Sequence, residues 1–465
     1  MIFTNLRHTE LGSRVLQEGI AMKLDELKSL IKDAGVAGAG GAGFPAYAKL
    51  SDKAEIIILN CAECEPLFTL HRQLLKLYSF EIISTLDKMC QCIGAKEFHI
   101  GMKRGYKSTA EAVERDIAAF KNGKIDYLHE VYPAGDEIVL IQDAIGKVVP
   151  AGGLPIDVGV IVYNVETVLN IYHALNGEKV THKYVTVGGA VKNPQTYRVP
   201  LGTPLSYLVE LAGGVTEENT ALLSGGPMTG KLAGETETVT KTTNGILVLP
   251  EDNPVIISRR QNVRVLKRRT MSACCQCQMC TDMCPRHLLG YPIEPHKFMR
   301  SVKSDDATDT QAYLNTQYCS QCGLCEMVAC KQGLNPRTLI GIAKQTLAKN
   351  GIKNTEKIEA HPRPELEMRR LTTSRLRKKL DLEKYNNPAL LTDEEVKVKT
   401  LYISLRQNIG APSVPAVKEG DSVKMGDIIA NAPEKALGLP IHAPVNGKVL
   451  KISDEMIVIK SAERK

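Results

Sequence analysis

Short apolar runs alternate with amphipathic stretches along the first third of the chain. Residues 55–59, 98–102, 127–132 and 158–162 read as short buried strands, and Leu24, Leu27, Leu30 and Ile31 recur at helical spacing over 23–32. A second helix is expected over 108–120. Polar residues collect where strands end, in Asn60-Cys61-Ala62-Glu63-Cys64-Glu65-Pro66, Gly135-Asp136-Glu137 and Asn164-Val165-Glu166-Thr167. Strands alternating with helices, with polar residues gathered at strand ends, predict an α/β nucleotide-binding domain.

The pattern then changes. Residues 184–203 read as strand, turn, strand, followed by a helix over 205–211. A basic, strand-like segment over 255–266 leads into a stretch with helical patterns over 295–302 and 337–348. Residues 351–388 are charged and prolyl, a linker with an exposed helix near 366–380. Paired apolar runs over 414–429 and 441–459 follow. Residues 1–21 show only weak helical periodicity.

At 465 residues the chain is too long for a single core, so roughly three or four domains are expected. The best candidate for a membrane span, 148–165, is interrupted by Gly152, Gly153, Pro155 and Asp157. The first twenty residues carry Arg7, Glu10, Arg14 and Glu18 without an apolar core, which argues against a secretory signal. A cytosolic chain is therefore expected, with its 13 cysteines serving as metal ligands and reduced thiols. The net charge of +7 is concentrated in Arg259, Arg260, Arg264, Lys267, Arg268 and Arg269, and again in Arg369, Arg370, Arg375, Arg377, Lys378 and Lys379. Aromatic residues are not interleaved there and Trp is absent, so a docking face or a solvated helix is expected rather than a nucleic-acid surface.

Eight cysteines carry the strongest chemistry. They are spaced Cys274-x2-Cys277-x2-Cys280-x3-Cys284-Pro285 and Cys319-x2-Cys322-x2-Cys325-x4-Cys330. Three thiolates at x2 spacing reach one 4Fe-4S cube from a tight loop, and in two-cluster ferredoxins the fourth cysteine of each run serves the other cube. Cys274, Cys277, Cys280 and Cys330 are thus expected to hold one cluster, and Cys284, Cys319, Cys322 and Cys325 the other. Structural zinc also uses C-x2-C pairs, but it does not call for three cysteines in strict x2-x2 spacing or for the trailing proline. Cys275 reads as a bystander, and His296 as an unneeded ligand.

The loop Gly35-Val36-Ala37-Gly38-Ala39-Gly40-Gly41-Ala42-Gly43-Phe44-Pro45, with Lys49 after it, can bring backbone N–H groups and a cation to a phosphate. It lacks the Walker and Rossmann signatures, and by itself it fits a tight structural turn equally well.

Together, Gly-x-Gly-Gly-x-Gly-Phe-Pro at 38–45, Glu-x-Glu-Pro at 63–66 and Asn-Val-Glu-Thr at 164–167 resemble the flavin-binding subunit of respiratory complex I. The Ala62-Glu63-Cys64-Glu65-Pro66 and Gly152-Gly153-Leu154-Pro155 segments are similar to the C subunit of Rnf complexes. The Cys-Cys-Gln-Cys-x-Met-Cys-Thr-Asp-x-Cys-Pro-Arg run at 274–286 resembles the cobalamin reductases of propanediol-utilisation microcompartments. The resemblance implies FMN held by Gly38, Gly40, Gly41, Gly43, Lys49, Asn60, Asn164 and Thr167. It implies NADH near Phe44, Glu65, Tyr132 and Glu137, with Glu63 in the same cofactor-binding set. Ala39 stands where complex I has an arginine, and Ala62 where it has an acid.

The implied architecture is multidomain α/β. It comprises an extension (1–21), an FMN-binding α/β domain (22–178), a β-grasp, SLBB-like domain (179–252), a helical two-cluster ferredoxin module (253–350), a linker (351–395) and a C-terminal barrel-sandwich hybrid (396–465). The implied function passes electrons from NADH through FMN and two 4Fe-4S clusters to cobalamin. Expected partners are cobalamin or an adenosyltransferase and microcompartment shell proteins, with no nucleic acid and no membrane span. The alternatives are an Rnf-like oxidoreductase feeding a ferredoxin or another reductase, and a non-catalytic relay or scaffold subunit.

Overall fold

The structure, a computed structural model, describes residues 22–462 apart from 235, 305–308, 355 and 393. The expected extension over 1–21 lies outside the described residues. The first unit is a parallel sheet of strands β1 (Ile56–Cys61), β2 (Glu97–Lys103), β3 (Gly123–Leu128) and β5 (Val160–Asn164), in the order β3-β2-β1-β5. Between β3 and β5 in the chain lies the short β4 (Val131–Tyr132). The run expected as one strand over 127–132 is therefore two pieces. Ile57, Ile58 and Leu59 of β1 are fully buried, which is why that segment reads as a continuous apolar run. Helices Leu24–Asp33, Leu70–Leu77, Ser79–Ile93 and Val165–Leu175 bury Leu27, Ile31, Leu74, Ile83, Leu86 and Leu169 in the largest core. Cys90 is buried on one of these helices and Cys61 at the end of β1, so both are packing residues.

The second unit is a five-stranded sheet, β7-β6-β10-β8-β9, built from β6 (His182–Gly189), β7 (Gln195–Pro200), β8 (Thr220–Ser224), β9 (Lys231–Leu232) and β10 (Gly245–Pro250). The helix expected over 205–211 is present as Leu205–Leu211.

The segment over 255–266 is helical, contrary to its strand-like composition. Helices Pro254–Arg260 and Val263–Ala273 occupy it. Asn253 accepts from the Val255 N–H at 2.9 Å ahead of a proline in the first turn, and Asn262 accepts from the Arg264 N–H at 2.9 Å. Two N-caps and a well-placed proline override the β-branched content. The cluster module continues with helices Pro295–Ser304 and Pro336–Lys349.

The linker is a strap rather than a solvated tether. Ile358 and Ala151 exchange backbone hydrogen bonds at 3.0 and 2.8 Å, and β11 (Leu371–Thr372) pairs antiparallel with β4. The helix expected near 366–380 is confined to Thr373–Lys379, with Leu376 and Leu380 fully buried. Arg370 donates to both oxygens of Asp143, each at 2.7 Å, so one member of the second basic cluster is an internal anchor.

The C-terminal unit packs two sheets, β12-β18-β17-β14 and β13-β15-β16, from β12 (Thr400–Ser404), β13 (Val414–Pro415), β14 (Ser422–Val423), β15 (Ile428–Asn431), β16 (Ile441–His442), β17 (Gly447–Ile452) and β18 (Met456–Ser461). Among the described residues no helix is long and apolar enough to cross a membrane.

Candidate functional site

The glycine loop closes on itself and is pinned to a helix. Gly38 N–H donates to the Phe44 carbonyl at 2.9 Å. Ala39 N–H donates to Thr167 Oγ1, also at 2.9 Å, which ties the loop to the first turn of Val165–Leu175. Asn164 caps that helix by accepting from the Glu166 N–H at 3.0 Å. A Cβ on Gly40 would stand 3.0 Å from Asn164 Nδ2, whereas one on Gly41, at φ 73°, would meet nothing within 4 Å. The loop thus shows bare backbone to the open side, beside a helix N-terminus that favours an anion.

In front of it opens a cavity of about 1560 Å³. A single small-molecule site occupies roughly 300–1,000 Å³. There is room for a flavin nucleotide and a second nucleotide together. Gly38, Gly40, Gly41, Phe44, Lys49, Asn60, Glu63, Glu65, Tyr132, Glu137, Asn164 and Thr167 all line it.

Gly43 does not. At φ 73°, its Cβ position lies 2.5 Å from Thr242 Cγ2 and 3.4 Å from Asn408 Cα, and its carbonyl accepts from the Ile409 N–H at 3.2 Å. It is where the β-grasp and sandwich domains meet the loop.

Several lining side chains are already engaged. Lys49 bonds Glu137 Oε1 at 2.9 Å and the Val162 carbonyl at 3.1 Å, and Asn60 Nδ2 donates to the Gly135 carbonyl at 3.0 Å. Glu63 accepts from the N–H groups of His71 and Arg72 at 2.8 and 3.2 Å. Glu65 accepts from the N–H groups of Met228 and Thr229, both at 2.9 Å, and so clamps the β-grasp loop to this wall. Burial raises the pKa of both carboxyls. It pushes the His71 imidazole down to about 3 and the Cys64 thiol up to about 12.

Cysteines of the two runs lie near enough to act on one another. Burial, then the thiols of Cys330, Cys274 and Cys277, push Cys280 up to about 12. Burial and then Cys319 raise Cys284 to about 12, and Cys325 is raised by burial and then by Cys319, Cys322 and Cys284. Cys280 is thus influenced by Cys274, Cys277 and Cys330, and Cys325 by Cys284, Cys319 and Cys322.

The two loops are built alike. Gln276 and Gln278 flank Cys277 at φ 56° and 64°, and Gln321 and Gly323 flank Cys322 at φ 61° and 83°. Left-handed residues on both sides of the middle cysteine turn the backbone around the thiols. Cys319 Sγ accepts from the backbone and side-chain N–H groups of Gln321, each at 3.3 Å, and Cys274 Sγ from Gln276 Nε2 at 3.1 Å. Donors aimed at sulfur suit thiolates held by iron.

Among the described residues no three His, Cys, Asp or Glu side chains close on a single ion. Cys275 is exposed.

The cavity and one quartet share a wall. Ser320 and Cys322 line the cavity, and Tyr132 Oη donates to the Cys322 carbonyl at 2.6 Å. Arg286, two residues after Cys284, donates to both oxygens of Asp136, the N-cap of helix Glu137–Ile145, at 2.8 and 2.9 Å. Arg259 and Arg337 meet the fully buried Glu326 at 3.0 and 3.5 Å, and both donate to the Met228 carbonyl at 2.7 Å. Arg259, expected on a docking face or a solvated helix, is an internal fastener of module to cavity wall.

Sequence reasoning missed the far wall of the cavity. Ser404, Arg406, Ile409 and Met456 of the sandwich domain line it, as do Thr240, Thr242 and Thr243 of the β-grasp domain. No local signal marks these residues, because only the docking of separate domains brings them to the loop.

Comparison with known proteins finds four domain types along the chain. Residues 31–173 match the Nuo51 FMN-binding domain, 184–232 an SLBB domain, 273–335 a 4Fe-4S dicluster domain and 389–464 the RnfC barrel sandwich hybrid domain. The chain is 38% identical over 446 residues to the cobalamin reductase PduS of Salmonella typhimurium, covering 95% of this chain and 97% of that protein. It is 37% identical to the cobalamin reductase PduS of Citrobacter freundii, covering 93% and 96%. The C subunit of the Na(+)-translocating ferredoxin:NAD(+) oxidoreductase complex of Acetobacterium woodii is 33% identical over 274 residues, 57% of this chain and 59% of that one. With a flavin domain, a two-cluster domain and near-complete coverage of two such relatives, this chain belongs to the PduS family of cobalamin reductases.

Proposed function

We propose that the protein is an NADH-dependent flavo-iron-sulfur oxidoreductase that delivers electrons to cobalamin, and that it works in the cytoplasm within a propanediol-utilisation microcompartment. The observation that carries this reading is the shared wall, where Cys322 of one quartet lines the cavity in front of the glycine loop. When bound, FMN would take one hydride, carrying two electrons, from NADH and release the electrons singly to 4Fe-4S clusters.

The chain's own residues position and insulate. The N–H groups of Gly40 and Gly41 and the N-terminus of Val165–Leu175 would hold the FMN phosphate, with Lys49 and Asn60 along the flavin and Phe44 and Tyr132 as walls toward the nicotinamide. Hydride transfer needs no side-chain proton donor, and His71, kept neutral by burial, supplies none. Cys284, Cys319, Cys322 and Cys325 would hold the cluster next to the flavin. Cys274, Cys277, Cys280 and Cys330 would hold the outlet, where Cys277 is exposed. A corrinoid, free or carried by an adenosyltransferase, would meet the protein there, with shell proteins as further neighbours.

The test is an anaerobic titration with NADH followed by acceptor assays. Bleaching of both flavin and cluster bands, with turnover on hydroxocobalamin exceeding turnover on ferredoxin, is the expected result. No bleaching would reject the reading, and preference for ferredoxin would move it to an Rnf-like acceptor.

A further inference from the structure

The C-terminal sandwich domain is built into the mouth of the nucleotide cavity. Its segment after β12 donates from the Ile409 N–H to the Gly43 carbonyl, and it brings Arg406 to the cavity lining. Arg406 is the one arginine on that lining among the described residues. Of the lysines there, Lys49 is paired with Glu137 at 2.9 Å and Lys231 with Glu237 at 3.5 Å, while Lys53 belongs to the flavin domain's own wall, just beyond Lys49. The Arg406 guanidinium makes one long hydrogen bond, to the Gly410 carbonyl at 3.4 Å, and has no carboxylate partner among the described residues. It is exposed, so it stands where an exchanging ligand enters rather than where a resident one is enclosed. The glycine loop itself offers only backbone, because Ala39 carries no charge and Lys49 is committed to Glu137.

We infer that Arg406 recognises the diphosphate of the incoming dinucleotide, so that the sandwich domain forms part of the NADH site. The inference rests on the NADH-dependent reading above. An arginine presents a planar fork to phosphate oxygens, and a charge-assisted pair of this kind is roughly twice as strong as a neutral hydrogen bond. It also leaves Ala39 without a task, since the cation arrives from another domain.

The test compares the wild-type holoprotein with Arg406→Gln and Arg406→Lys, using NADH as the probe. Bleaching of the wild type by NADH first establishes that the proposed reaction occurs; its absence would defeat that reading rather than this one. The expected result for R406Q is a rise of about tenfold in KM for NADH with kcat held within about twofold, partial recovery in R406K, and unchanged FMN content. The KM of the wild type should also rise with ionic strength more steeply than that of R406Q. An unchanged KM in R406Q would overturn the inference. So would loss of bound FMN with NADH affinity preserved, which would give Arg406 to the resident flavin instead.

Discussion

Lys241 lies where three domains meet, and its burial makes their docking pH-dependent. It is only 3% exposed. Its ammonium donates to the carbonyls of Gly35 in the flavin domain, at 2.8 Å, and Pro440 in the sandwich domain, at 2.9 Å. No carboxylate pairs with it among the described residues, and burial pushes its pKa from 10.5 down to about 7. Between those two values the unfolded chain binds a proton that the folded one has released, so stability rises with pH across that window. Below pH 7 both states are protonated and the cost of burying the charge is fully present. Integrated from pH 7 to pH 9, the gain is about 2 kcal/mol. Lys241→Met has no proton to exchange, so its stability should lack this rise over the same interval. Urea midpoints at pH 7, 8 and 9, read by circular dichroism since Trp is absent, measure the difference. Parallel pH profiles for the two proteins would refute the reasoning.

Other outcomes follow from single contacts. Glu326→Gln leaves Arg259 and Arg337 without their shared buried anion and should cost about 3 kcal/mol, seen as an earlier urea-induced loss of cluster absorbance. Gly43→Ala places a Cβ 2.5 Å from Thr242 at a left-handed φ, so proteolysis at the junction of the sandwich domain should accelerate. Cys330→Ala should halve the bound iron while NADH still reduces the flavin, whereas Cys275→Ser should leave the iron content unchanged. Both are checked by iron and flavin quantification.

The cluster domain was the most legible part of the chain, because thiolate geometry around a cube dictates the x2 spacing, and residues 273–335 match a 4Fe-4S dicluster domain. The strands of the flavin domain were legible for a similar reason, since Ile57, Ile58 and Leu59 are buried on both faces and leave no alternation to misread. Residues 255–266 misled because Val255, Ile256, Val263 and Val265 favour a strand locally, while Asn253, Pro254 and Asn262 act through caps that composition does not weigh. The strap was misread because Leu376 and Leu380 sit in a charged stretch whose burial depends on β4, far earlier in the chain. Glu65 and Gly43 belong to motifs that point to a ligand, yet both also hold neighbouring domains. Arg406 carried no signal, since its role exists only once the sandwich domain is docked.

The claim that electrons enter at the cavity and leave through the quartet of Cys274, Cys277, Cys280 and Cys330 is tested most directly with Cys277→Ala, mixed anaerobically with NADH and followed in the visible range. The flavin band should bleach as in the wild type while hydroxocobalamin reduction falls to background. Equal loss of flavin reduction and cobalamin reduction, or cobalamin reduction at the wild-type rate, would contradict it.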